Sequence, residues 1–173
     1  MRLQDRLLPA ALKDLDLGEA ALEIGPGPGL STDWLRTRVP RLTAIEIDHQ
    51  LAEGLKRRLT GTNVTVVEGD ATGMPFPDAS FSAAVCMTML HHVPWRLQDR
   101  LLAETARVLR PGACFAGSDS TPSLRWNLYH LFDDRNPVDP TTFGARLTRA
   151  GFTDVDVQRP PSGTGFSFRA RRA

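Results

Sequence analysis

Cysteine is scarce in this chain of 173 residues: only Cys86 and Cys114 occur, each inside an apolar run. Two thiols with no His or Cys at ligand spacing nearby suggest neither a disulfide framework nor a zinc site. No metal is expected, and Cys114 reads as a small buried hydrophobe. Net charge is almost absent as well. The 21 Lys and Arg against 20 Asp and Glu leave +1, so no overall field draws the chain to nucleic acid or an anionic membrane. No apolar run approaches the roughly 18 residues needed to span a bilayer. The opening M-R-L-Q-D-R-L-L-P-A-A-L-K-D-L carries charges throughout and lacks the apolar stretch of a signal peptide. These absences point to a cytoplasmic protein without a membrane partner. No internal repeat, low-complexity tract or linker is found, and the length suits one domain over 1–173. One local excess of charge stands out: Arg159, Arg169, Arg171 and Arg172 follow Asp156 with no acid among them. They read as a short solvated tail, or else as a patch for an anionic substrate or surface.

What is present is an alternation of strand and helix signals, in a composition (41% hydrophobic, 24% charged) ordinary for a globular protein. Short apolar runs at 20–24, 42–47, 64–68, 81–87 and 113–118 read as buried strands, and 155–158 and 166–170 as two more. Helices fit 31–38, a segment N-capped by Asp48, a segment from Pro94 to the Pro111-Gly112 stop, and one around Phe143, Leu147 and Ala150 that ends at Gly151. Alternating strands and helices predict an α/β fold: a mainly parallel sheet with helices on both faces. In that architecture ligands bind beyond the carboxyl ends of the strands, at the topological switch point.

The first strand runs straight into G-P-G-P-G at 25–29. Without a Cβ, Gly25, Gly27 and Gly29 let the backbone turn tightly and approach a ligand. Pro26 and Pro28 fix φ and remove two N–H donors, which argues against a phosphate cradle. G-x-G-x-x-G is not matched either, since Leu30 stands where its third glycine would be. Glu46 ends the second strand about 20 residues later, where a carboxylate can accept from both ribose hydroxyls; the alternative is a solvated strand-end acid. Glu23 lies inside an apolar strand, and a buried acid needs a partner, such as a loop amide or a cationic ligand group. Asp70 and Ala71 follow the third strand and can bond an adenine amine; alternatively Asp70 closes an Asx-turn between Gly69 and Thr72. These groups suit an adenosine with a compact cationic tail better than a dinucleotide.

Four motifs stand in order: L-E-I-G-P-G-P-G, A-I-E-I-D, E-G-D-A-T-G-M-P-F-P-D-A-S-F and R-V-L-R-P-G-A. Across roughly residues 18–158 the chain resembles a class I S-adenosylmethionine-dependent methyltransferase. The resemblance implies a Rossmann-like, seven-stranded, mostly parallel sheet with a minimal N-terminal cap. S-adenosylmethionine is the implied cofactor and S-adenosylhomocysteine the implied product. It implies cofactor contacts from Glu23, Gly25, Pro26, Gly27, Gly29, Thr32, Glu46, Ile47, Asp70, Ala71, Met87 and Thr88. Within the family, L-E-I-G-P-G-P-G-L-S-T and I-E-I-D-H-Q-L-A are similar to the opening of rRNA adenine dimethyltransferases. Those enzymes carry an N-x-P-Y/F-type motif after strand four, where this chain reads C-M-T-M-L-H-H-V, and a basic C-terminal RNA-binding domain, which is not expected for this chain. From Gly69 onward the pattern, with L-H-H-V and R-V-L-R-P-G, is similar to small-molecule methyltransferases of the quinone-biosynthesis type. A small organic acceptor is therefore expected, and nucleic acid is not.

His91 and His92 follow the fourth strand on the expected rim, where an imidazole can take a proton from a phenol, enol or amine. The competing reading has one of them packed under the next helix and the other in solvent. Met74 and Phe76 read either as adenine contacts or as core. Asp119 reads as a rim acid or a helix cap. Trp126, Tyr129, His130 and Phe132 recur at helical spacing and either line an acceptor pocket or dock on the sheet. Only about 17 residues precede the first strand. The acceptor pocket is thus expected to be open, or completed by the 122–140 segment, a homodimer or a partner subunit; the alternative functions are a non-catalytic scaffold or activator subunit and, behind it, an rRNA adenine methyltransferase.

Overall fold

A computed structural model describes residues 11–12, 14–121, 136–160 and 165–173. Strands β1 (Ala20–Ile24), β2 (Arg41–Glu46), β3 (Val64–Glu68), β4 (Phe81–Met87), β5 (Leu109–Ser120), β6 (Phe152–Gln158) and β7 (Gly165–Arg172) form one sheet in the order β3-β2-β1-β4-β5-β7-β6. The first five strands pair parallel, and β7 lies antiparallel to both β5 and β6. Helices α1 (Leu30–Leu35), α2 (His49–Arg58), α3 (Trp95–Val108) and α4 (Pro140–Arg149) connect them. From β1 the chain winds outward to β3, then returns to place β4 on the other side of β1. The switch point therefore lies between β1 and β4.

Side chains alternate between two packed faces, as expected for strands buried on both sides. Leu22 and Ile24 of β1, with Ala84 and Cys86 of β4, join the larger core, which includes Leu101 and Leu102 of α3 and Phe143 and Leu147 of α4. Ala21, Ala83 and Val85 face the other way, onto Leu35 and Val39. Glu23 shares that second face and so is aimed at α1. Asp48 caps α2 as expected, its Oδ1 accepting from Leu51 N at 2.9 Å.

Three boundaries differ from the pattern in the sequence. Helix α1 stops at Leu35, and the Arg38 N–H turns back to Leu35 O at 2.8 Å. Helix α3 ends at Val108, because Leu109 already pairs with Phe81 as the first residue of β5. Pro111 and Gly112 then lie within β5, where the register shifts before Ala83 meets Cys114. Of the C-terminal arginines, Arg169, Arg171 and Arg172 do not form a solvated tail but lie on β7, with Arg169 Nε donating to Ala11 O at 3.0 Å and Arg171 Nη1 to Gly112 O at 2.9 Å. Arg159 follows β6 and is exposed, its guanidinium 3.8 Å from Asp139. Arg172 Nε donates to Ala106 O at 2.8 Å, satisfying a carbonyl in the last turn of α3. The cluster at Trp126, Tyr129, His130 and Phe132 lies outside the described residues.

Candidate active site

The carboxyl ends of β1 to β4 open onto one cleft of about 1040 Å³. Its floor is the glycine loop, which is tied at successive points. Gly25 N donates to Ile45 O at 3.0 Å, Gly27 N to Glu46 Oε2 at 2.9 Å, and Gly29 N to Pro26 O at 2.9 Å. All three glycines hold positive φ (65°, 54° and 85°), which a side chain would strain. A Cβ on Gly29 would also lie 2.2 Å from Arg58 Nη2 and 2.5 Å from Leu55 Cδ2. Arg58 uses that gap: its guanidinium pairs with Asp33 at 2.6 Å and donates to Pro28 O at 3.2 Å. Nothing in the spacing of the sequence links Arg58 to the loop, because it acts from the last turn of α2.

The cleft brings together ten of the expected site residues: Gly25, Pro26, Gly27, Glu46, Ile47, Asp70, Ala71, Met87, Thr88 and His92. Glu46 is buried, and its second oxygen accepts from Asp48 N at 3.0 Å. Asp70 Oδ1 accepts from Thr72 N at 2.7 Å, so the Asx-turn is present while the side chain also borders the cleft. Ile47 is 69% exposed beside it. Thr88 has φ +52°, a region a β-branched residue rarely enters, and its N–H donates to Ser118 O at 2.7 Å. Glu23, Gly29, Thr32 and His91 stand behind the cleft wall and do not line it. Met74 belongs to the core and Phe76 packs on it edge-to-face with Phe81, at 5.1 Å between centroids.

Glu23 is 1% exposed. Ser31 Oγ donates to its Oε1 at 2.5 Å, while Oε2 and the neighbouring Thr32 Oγ1 are buried without a hydrogen bond of normal geometry. Burial pushes the Glu23 carboxyl up to about 7; the Ser31 and Thr32 hydroxyls oppose the rise, and the negative charges of Asp33 and Glu46 add to it.

On the other bank, Asp119 at the end of β5 is the buried partner of His91. Its Oδ1 meets His91 Nδ1 at 2.5 Å and its Oδ2 accepts from His91 N at 3.1 Å. Gln98 Nε2 donates to Leu90 O at 3.2 Å and Val93 O at 3.1 Å, fixing the same 3₁₀ turn (Leu90–His92) from α3. The His92 ring packs against His91, with centroids 4.1 Å apart, and is exposed to the cleft. One histidine is thus packed and the other presented. The sequence places Asp119 on the rim but not its pairing with His91, because only the adjacency of β4 and β5 brings the two together across 28 residues.

Arg107, the first arginine of R-V-L-R-P-G, holds the M-P-F-P turn. It donates to Met74 O at 3.0 Å and Phe76 O at 2.8 Å and pairs with Glu104 and Asp78, each at 2.8 Å. Glu104 in turn accepts from Met74 N at 2.8 Å. Electrostatically the cleft has one sign. Glu46, Asp48 and Asp70 line it, and no Lys or Arg does among the described residues.

Residues 22–116, more than half of the chain, match the family described as a methyltransferase domain. The chain belongs to the class I S-adenosylmethionine-dependent methyltransferases. It is 36% identical over 115 residues to a fatty-acid O-methyltransferase of Mycolicibacterium smegmatis, covering 65% of this chain and 41% of that protein. Over 60 residues it is 43% identical to a ribosomal RNA small subunit methyltransferase A of Thermococcus onnurineus, covering 35% of this chain and 22% of the relative. This methyltransferase chain thus spans less than half the length of either. Its fold is similar to that of the methyltransferase solved in complex with the Haloferax volcanii Trm112 methyltransferase activator. There the TM-score is 0.78 at 16% identity, covering 99% of this chain and 92% of the other. Among the described residues no helix is long and apolar enough to cross a membrane.

Proposed function

We propose that this chain, as one domain over 1–173, transfers a methyl group from S-adenosylmethionine to a small organic acceptor. The observation that carries the reading is the pairing of a proline-stiffened glycine loop with the buried Glu46, beside a cleft lined by carboxylates and, among the described residues, by no basic side chain. Such a cleft favours a cationic ligand and disfavours a phosphodiester. In this reading Glu46 holds the ribose hydroxyls, Asp70 and Ala71 the adenine amine, and Ile47 packs on the ring. The Gly25–Gly29 loop and Met87 border the methionine end, with Glu23 and Thr32 behind them.

S-adenosylmethionine, when bound, supplies an electrophilic methyl on a sulfonium together with its own leaving group. The chain has to align the acceptor and exclude water. An imidazole nitrogen of His92 takes the acceptor's proton where one must leave, while the Asp119–His91 pair holds the turn that presents it. The mycobacterial relative's name supports a small-molecule acceptor over RNA.

Incubation with S-adenosylmethionine and panels of fatty acids, phenols, quinols and amines, read out as S-adenosylhomocysteine formed, tests this. Turnover with one class is expected. Cofactor binding without turnover on any panel would favour the second reading, a non-catalytic subunit completed by a partner. The Trm112 complex, in which a methyltransferase of this fold is bound by its activator, supports a partner subunit but not the absence of catalysis.

A further inference from the structure

We propose that Glu23 enters the cofactor-free site as a neutral acid and gives up its proton when the cationic cofactor binds, so that cofactor binding is coupled to proton release. This rests on the cofactor assignment above and adds to it a role for a residue the ligand need not touch.

Glu23 is fixed in the centre of the sheet, paired with Ala44 of β2 and Val85 of β4. Its side chain is walled by α1, where Ser31 donates to Oε1, and Oε2 is left with Thr32 Oγ1 beside it, both buried and without a hydrogen bond of normal geometry. An ionised carboxylate with one oxygen unsolvated and unbonded is costly; a neutral acid can place its proton there. The charged groups that act on it most are Asp33 on α1 and Glu46 on β2, both negative. Asp33 is itself paired with Arg36 and Arg58. From β4 the nearby titratable group is Cys86, a thiol that burial keeps protonated. No described neighbour among these supplies a positive charge to Glu23, and its carboxyl lies near 7 in consequence.

Ser31 connects this buried acid to the ligand. It bonds Glu23 and also lines the cleft beside Gly25 and Gly27. A ligand bearing an ammonium group at that wall brings the missing positive charge into a medium of low dielectric, where it is felt without direct contact. The Glu23 carboxyl then ionises. Its O–H bond breaks, the proton passes to solvent buffer, and the carboxylate remains as counter-charge to the ligand. The site thereby selects for a cationic ligand, since a neutral isostere brings no charge to offset the ionised acid.

The test is titration calorimetry of the full chain with S-adenosylmethionine, without acceptor, at about pH 6 in buffers of different ionisation enthalpy, which counts protons exchanged. The wild-type chain is expected to release between about half and one proton per ligand, and Glu23→Gln close to none. Binding with equal proton counts in both proteins overturns the proposal and leaves the cofactor assignment standing. Absence of any binding by the wild-type chain overturns both. Should Glu23→Gln fail to fold, infrared difference spectra of the wild-type protein decide. Loss of a protonated carboxylic acid band on adding S-adenosylmethionine is expected, and an unchanged carboxyl region overturns the proposal.

Discussion

The Gly27 amide donates to Glu46 Oε2 at 2.9 Å, joining the loop after β1 to the end of β2 before any ligand is present. With the other carboxylate oxygen on Asp48 N at 3.0 Å, Glu46 sets both the loop and the start of α2. Its role is therefore structural, beside the ribose contact proposed for it: it holds the floor of the cleft.

The Gly27 amide should accordingly exchange slowly with solvent in the ligand-free protein. Glu46→Ala should speed its exchange by about tenfold or more, corresponding to loss of one charge-assisted hydrogen bond of about 1.5–3 kcal/mol. Amide exchange followed by NMR checks this. Unaltered protection in the variant would mean the loop is held by its prolines alone.

Alanine substitutions in the loop should separate by position. At Gly25 a Cβ meets Met89 Cγ at 2.2 Å as well as an unfavourable φ, whereas at Gly27 nothing lies within 4 Å. Gly27→Ala should cost about 1 kcal/mol, from the positive φ alone, and Gly25→Ala about 2–3 kcal/mol. Urea denaturation of both variants gives the comparison; equal losses would show that Met89 moves aside freely.

Removing the Asp119 carboxylate leaves His91 N, His91 Nδ1 and Ser120 N without this acceptor. Asp119→Ala should destabilise by about 3 kcal/mol, and Asp119→Asn by less, because an amide oxygen still accepts. A loss below about 0.5 kcal/mol for the alanine variant in urea melts would contradict the description of a buried clasp.

Glu23 predicts a pH dependence with a definite sign. Its carboxyl is raised from 4.5 to about 7 in the folded chain, so the folded state binds the extra proton between those values. The contribution to stability is full below about pH 4.5, falls as pH rises, and is lost above about pH 7, a change of about 3 kcal/mol at most. Urea melts of the ligand-free protein at about pH 5 and about pH 8 should show the wild type losing stability relative to Glu23→Gln. A gap between the two proteins that does not change with pH would contradict this.

The loop at 25–29, Glu46 and Asp70 were legible in the sequence because each sits at or just past the end of a strand, where chain order alone decides position. Contacts that depend on strand order were not. Asp119 reaches His91 only because β5 lies beside β4, and Arg58 reaches the loop only from the far end of α2, where it pairs with Asp33 of α1. The arginines of β7 looked like a tail because charge pattern carries no sign of the ladder they join. The turn of Met74 and Phe76 was ambiguous for another reason: both adenine packing and core packing call for large apolar residues, and only the grip of Arg107 on that turn distinguishes them.

Binding of S-adenosylhomocysteine to the wild-type chain and to Glu46→Ala, measured by calorimetry, tests the central claim most directly. The predicted result is saturable binding at one site per chain, weakened about 10–100-fold in the variant by loss of the ribose acceptor. No binding by the wild-type chain, or binding that Glu46→Ala leaves unchanged, would contradict it.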